Sequence, residues 1–315
     1  MPSFESSIDS ARLYYVDYIP ARSPFAPPFQ PTDQPSLYFT DKDTTLIFIH
    51  GWPMSHRMYE HLLLRLSQTH GVRCIASDRR GFGNSEWSGN KGYDKDITYQ
   101  TFAQDTIDLL HVVRENGVRK FYFVGASMGC GETVLSYLSC SPELQQDCLG
   151  FVWMGPSAPY PLATETNPTA PSRELWDMIL AGFRADSVAF VHASIGGVFG
   201  IPFNIGIELP ESVLNKFEAI VAQADSLAIE RCVQIISSTD LTENIRQLDR
   251  ADVKILVIHG DSDQSMPASA SADIIQSLAK QTKVKIYDKA AHGLYLTHAD
   301  QVIKDILEFV FGSRG

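Results

Sequence analysis

The sequence predicts an α/β fold: a doubly wound, mostly parallel sheet with a helical cap inserted before the last two strands. Three observations carry this expectation. Short apolar runs rich in β-branched residues recur between stretches of helical periodicity. The runs are continuously apolar rather than alternating, as strands covered on both faces must be. The alternation then stops from about residue 157 to 247, where mostly helical sequence intervenes.

The strand-like runs are TTLIFIH (44–50), VRCIASD (72–78), KFYFVG (120–125), LGFVWMG (149–155), VKILVIHG (253–260) and KVKIYD (283–288). Helix-like stretches occupy 57–69, 99–116, 129–141, 268–280 and 299–311, giving the strand–helix alternation of a doubly wound sheet. Ahead of these, Leu13, Tyr14, Tyr15 and Val16 read as an edge strand. Residues 20–35, PARSPFAPPFQPTDQP, hold too many prolines for a helix or a central strand. The expected organisation is a Pro-rich N-terminal extension (1–40), a core from 41–156 and 248–315, and a helical cap (157–247). The cap opens with PSAPYPLATETNPTAPS and should sit over the C-terminal edge of the strands.

A chain of 315 residues suits one α/β domain carrying an insertion. With 44% hydrophobic and 20% charged residues it can build a core without disulfides or metal. The net charge of -11, with no Lys/Arg-rich run, opposes binding to nucleic acid or an anionic membrane surface. The start, MPSFESSIDS, lacks the basic and apolar regions of a signal peptide, and no stretch approaches the roughly 18 apolar residues of a spanning helix. The five cysteines are odd in number and show no C-x-x-C spacing, so reduced thiols are expected and zinc is not. These features predict a cytoplasmic protein with no cofactor, no metal and no membrane or nucleic-acid partner; a homo-oligomer stays open.

The chemistry concentrates at Gly125-Ala126-Ser127-Met128-Gly129, a G-x-S-x-G pentapeptide. The pattern alone is weak, since glycine and serine are common. Here it follows the apolar run KFYFV and precedes the helical run GETVLSYLS, the strand–turn–helix setting the motif demands. The turn is tight, so a Cβ at either glycine would clash. Ser127 would then stand at a helix N-terminus, where the dipole favours developing negative charge.

A serine hydroxyl needs a base, and the base needs an orienting carboxylate, here expected in the chain order Ser, Asp, His. Four histidines follow Ser127. His192 lies within the cap, His259 ends a strand with no suitable acid before it, and His298 begins the terminal helix, where packing or capping accounts for it. His292 sits in a small-residue loop between the last strand and the last helix, the place from which it can return over the nucleophile. Asp261 and Asp263 both follow the preceding strand. Asp263 is favoured because it lies further past the strand end, and Asp261 suits a turn residue. A carboxylate there would fix the tautomer of His292 and stabilise its imidazolium.

An oxyanion hole needs two backbone N–H donors, each worth about 3–4 kcal/mol in the transition state. One is the Met128 amide. The other must come from His50-Gly51-Trp52-Pro53, where proline cannot donate, so Trp52 is the choice and its indole would wall the acyl pocket. His50 reads as a residue bonding the loop backbone. The loop Asp78-Arg79-Arg80-Gly81-Phe82-Gly83-Asn84-Ser85 reads as a structural charged cluster, with no Walker lysine or G-x-G-x-x-G to suggest phosphate binding.

Taken together, HGWPMS (50–55), DRRGFGNSE (78–86), GASMG (125–129) and HGLYLTHADQV (292–302) resemble the cofactor-free haloperoxidase/perhydrolase group of the α/β-hydrolase superfamily, with weaker similarity in DMILAGFRADSVAF (177–190). The resemblance spans about residues 40 to 312. It implies the α/β-hydrolase fold, a Ser127–Asp263–His292 triad, and Trp52 and Met128 as oxyanion amides. It also implies an esterase or lactonase that can use peroxide to make peracids. The Trp52-Pro53 pair and Met128 look like the perhydrolytic members; the N-terminal extension and the cap depart from them.

The expected reaction is hydrolysis of a small, largely apolar carboxylic ester or lactone through an acyl-enzyme, with Trp176, Phe183, Phe190, Phe199 and Phe203 of the cap available to build an apolar pocket. Serine at 127 excludes reactions that need a carboxylate nucleophile there. Carbon–carbon bond hydrolysis, or a lyase reaction of secondary metabolism, would use the same triad. A small-ligand receptor on this fold would have no need for Asp263 and His292 in register.

Overall fold

The computed structural model describes residues 2–20, 44–89, 97–203 and 205–312. Among them eight strands form one sheet: β1 (Ser3–Glu5), β2 (Arg12–Tyr18), β3 (Thr44–Ile49), β4 (Arg73–Ser77), β5 (Lys120–Ala126), β6 (Cys148–Met154), β7 (Ile255–Gly260) and β8 (Lys283–Tyr287). Their order is β1-β2-β4-β3-β5-β6-β7-β8, with β1 and β2 antiparallel and every later pairing parallel. The six strand-like runs of the sequence are these last six strands.

The helices on the sheet are α1 (Glu60–Leu64), α2 (Tyr99–Glu115), α3 (Met128–Ser139) and the short α4 (Pro142–Asp147). Between β6 and β7 come α5 (Arg173–Val198), α6 (Glu211–Ala222) and α7 (Ser226–Ser237), the helices of the cap, and then α8 (Thr242–Arg250), which packs on α3 and, with α9 (Ala272–Leu278), α10 (Leu294–Thr297) and α11 (Ala299–Phe311), completes the core. Alternate residues of each central strand face opposite layers. Phe121, Phe123 and Trp153 pack with α2 and α3, whereas Leu46, Phe48 and Val124 pack with α1 and α11. Each of these fully buried side chains contributes about 1.5–3 kcal/mol of apolar burial, which is why the strands read as unbroken apolar runs.

The register sets where chemistry can gather. Ile49 lies beside both Ser77 and Gly125, Met154 beside Ala126 and Ile258, and Gly260 beside Tyr287. The C-terminal ends of β3 to β8 are therefore level. The loops after β3, β5, β6, β7 and β8 all leave by one edge, under the cap.

Two expectations need correction. Residues 1–40 are not wholly outside the core, because β1 and β2 extend the sheet beyond β4. Leu13 and Tyr15 alternate inward, and Asp17 accepts from Arg73 of β4 at 2.6 Å. β2 is therefore an inner strand and β1 the edge. The proline-rich stretch at 21–35 lies outside the described residues. Second, α5 is 26 residues long with a mean hydropathy of 1.3 over its most apolar window, enough by length and composition to cross a membrane. It breaks at Asp186 (φ -161, ψ 97), whose carboxylate caps the second arm by accepting from the Ala189 amide at 2.9 Å. The arms pack inward through Leu180, Val191 and Ile195.

Candidate active site

Ser127 joins β5 to α3 with φ 51 and ψ -120, a left-handed conformation unusual for a residue with a Cβ. The flanking glycines make this turn possible. A Cβ on Gly129 would lie 2.3 Å from the Ile49 carbonyl oxygen, and one on Gly125 would lie 2.9 Å from the Cys130 backbone. The elbow is pressed between β3 and α3, as the pentapeptide predicts. Met128 is the first residue of α3, so its N–H has no acceptor within the helix. Tyr99 donates to the Met128 carbonyl and holds the helix start in place.

Asp263 lies three residues past β7 and is 2% exposed. Its Oδ1 accepts from the amides of Ser265 and Met266, both at 2.9 Å, and its Oδ2 is 2.7 Å from His292 Nδ1. Burial opposes the charge on both partners. The His292 interaction nevertheless holds the Asp263 carboxyl well below the usual range, and Asp263 raises His292 above 6.5. Asp261 is exposed and accepts instead from the Ser262 hydroxyl at 2.8 Å. Of the two acids, the structure brings Asp263 to His292 and leaves Asp261 at the surface.

The loop after β3 is fixed by a buried network. His50 Nε2 accepts from the Arg79 amide at 2.9 Å, so Nδ1 carries the proton and donates to the Gly51 carbonyl at 2.8 Å. Burial, with the Arg79 charge, pushes His50 well below 6.5 and keeps it neutral. The Met54 amide also donates to that Gly51 carbonyl, so the Trp52 N–H is held on the opposite side of the peptide plane. A Cβ on Gly51 would come within 3.2 Å of Ser127 Cβ, which places this loop against the elbow. The 78–85 loop is structural as predicted. Asp78 accepts from the His56 amide, His56 Nδ1 and the Asn84 amide, and Arg79 is paired with Glu132 at 2.6 Å.

Ser127 and His292 line one cavity of about 310 Å³ between the strand ends and the cap. Trp52, Trp176, Phe183, Phe190 and Phe203 also line it. Phe199 does not: it is fully buried against Phe217 and Tyr295, a core residue rather than a pocket wall. His192 is paired with Glu218 on the cap, and His298 precedes α11 with its ring near Tyr287.

Two neighbours were not legible in the sequence. Ser157, just past β6, places its Oγ 2.9 Å from Ser127 Oγ. His259 is fully buried, with Nε2 2.8 Å from the Met266 carbonyl and 3.4 Å from Asp263 Oδ2.

A family model for the alpha/beta hydrolase fold matches residues 44–299. The chain belongs to the α/β-hydrolase family. Within it, the relatives are those of the haloperoxidase/perhydrolase-like group. This hydrolase is 30% identical over 287 residues to a non-heme haloperoxidase of Rhodococcus erythropolis, covering 89% of this chain and 97% of the relative. It is 28% identical to a bifunctional esterase/perhydrolase of Acinetobacter calcoaceticus, covering 88% and 97%. Among solved structures, a bromoperoxidase from Bacillus anthracis covers 98% of this chain and 99% of its own, with a TM-score of 0.79 and 24% identity, a likeness of fold.

Proposed function

We propose that this hydrolase cleaves small, largely apolar carboxylic esters or lactones through an acyl-enzyme on Ser127. The observation that carries the reading is the Asp263–His292 pair, 2.7 Å apart, whose histidine shares an apolar cavity with a serine held in a strained elbow. Ser127 Oγ rests near Ser157, and rotation about its Cα–Cβ bond turns it toward His292. The oxygen attacks the carbonyl carbon while His292 Nε2 takes its proton. The Met128 and Trp52 amides receive the oxyanion. His292 then gives its proton to the leaving alcohol, and Asp263 stays ionised throughout. Water, activated by the same imidazole, attacks the acyl carbon and returns Ser127. Hydrogen peroxide in place of water gives a peracid, the reaction named for the Acinetobacter relative.

The test uses purified protein. Wild type should release p-nitrophenol from a short-chain ester and react with a fluorophosphonate, and Ser127→Ala should do neither. A folded wild type inert in both assays rejects the reading, and turnover by Ser127→Ala rejects the nucleophile.

A further inference from the structure

A second cavity of about 480 Å³ lies within the cap, between α5, α6 and the start of α7. It opens to solvent, with Ser187, Val188 and Ala219 exposed along it, and no step above uses it. Three side chains line both cavities: Phe183, Val191 and Val221. The wall between them is thus one side chain thick. Val191 and Val221 are buried, whereas Phe183 is half-buried and meets Trp52 edge to face, ring centroids 5.6 Å apart.

The partition stands beside Trp52. Trp52, which lines the catalytic cavity, donates from Nε1 to the Ile229 carbonyl at 3.0 Å, and Ile229 lines the second cavity. The break at Asp186 produces this arrangement. It folds the second arm of α5 back so that Phe190 packs on Phe183 at 5.0 Å, leaving Val188 and Val191 to face the new space. The far rim is polar, where Arg184 donates to Glu230 at 2.7 and 2.9 Å. An open cleft behind this wall, apolar on its inner side through Leu180, Val191, Val221 and Ile229 and polar toward solvent, matches the distal part of an extended acyl chain.

We propose that the second cavity is a distal acyl subsite, that Phe183 is the gate between it and the catalytic cavity, and that the natural substrates include esters of medium- to long-chain acids. The catalytic cavity, of about 310 Å³, is at the lower end for a ligand site, and the cleft beyond Phe183 would extend it along the acyl chain. This inference rests on the ester-hydrolase reading.

The experiment is a chain-length profile with p-nitrophenyl acetate, hexanoate and decanoate. It compares wild type, Ala219→Trp and Phe183→Ala. Ala219 lines only the second cavity and is exposed on α6, so an indole there can lie across the cleft without entering the core. Thermal melting by circular dichroism and fluorophosphonate labelling establish that each variant is folded with Ser127 reactive. Ala219→Trp should lower the decanoate-to-acetate ratio of kcat/KM on the order of tenfold, the effect of excluding about two methylene groups from an apolar site. Phe183→Ala, by removing the gate, should raise that ratio. An unchanged ratio in folded, labelled Ala219→Trp overturns the subsite. So does a wild type that cleaves acetate but neither longer ester, and in both cases the esterase reading stands. A wild type that cleaves none of the three and does not label removes both.

Discussion

His292 can act as a base only while Nε2 keeps its lone pair. Burial alone would push its pKa down, but the Asp263 charge and hydrogen bond outweigh burial and raise it above 6.5. The acid limb of kcat/KM should therefore fall at a pH above 6.5, with activity lost as pH drops through it. Asp263→Asn removes both the charge and the tautomer constraint. It should lower kcat by about 10⁴ and move the acid limb downward. Asp261→Asn should leave rate and profile unchanged, because that carboxylate is exposed and bonds only toward Ser262. Steady-state rates from pH 5 to 9 check both; equal losses in the two variants would reject the assignment of the acid. Choosing Asp263 was legible from its distance past β7. That its Oδ1 would be anchored by the Ser265 and Met266 amides was not, since loop hydrogen bonds leave no periodic trace.

At the scale of elements, the elbow owes its geometry to contacts that cannot yield. Gly129→Ala would drive a methyl group against the backbone oxygen of Ile49, not against a movable side chain. Overpacking of this kind should cost about 1–3 kcal/mol, read as a lower midpoint in guanidinium denaturation, with loss of fluorophosphonate labelling as the turn shifts. A folded Gly129→Ala with unchanged labelling would show that the turn has slack. A second element junction depends on charge. Arg79 leaves the end of β4 fully buried and meets Glu132 of α3, while its amide and guanidinium also hold His50. Glu132→Gln leaves the guanidinium without its counter-ion and should cost about 3–5 kcal/mol, measured in the same way. The six central strands were legible because two-sided burial writes an unbroken apolar run. The pocket walls were legible only in part: Trp176, Phe183, Phe190 and Phe203 turn toward Ser127, but Phe199 turns into the core. Aromatic residues on cap helices look alike in sequence, and tertiary packing decides which face the cavity.

At the scale of the molecule, the part least legible in the sequence is the N-terminal edge. The prolines at 20–35 suggested that the first 40 residues stand apart, and β1 is too short to write a pattern of its own. Its placement is enforced instead by a long-range charge cluster. Arg80 is 1% exposed, and its guanidinium donates to Asp105 of α2 at 2.6 and 2.8 Å, to Asp9 at 2.9 Å and to the Ser6 hydroxyl at 3.0 Å. The turn between β1 and β2 therefore closes over a buried cation on the loop that carries DRRGFGNSE. Phe4, Ala11, Leu13 and Tyr15 complete that side of the core. Deleting residues 2–11 would strip two of the three side chains paired with Arg80, admit water to its guanidinium and leave the edge of β2 unpaired. The expected loss is about 3 kcal/mol, at the lower end for breaking a buried pair because Asp105 remains. It would appear as a lower denaturation midpoint and as increased light scattering on warming. Labelling of Ser127 per folded molecule should stay at the full-length level, because the C-terminal strand ends that hold the site do not include β1. A truncated chain as stable as the full one would return the N-terminus to the role of a dispensable extension.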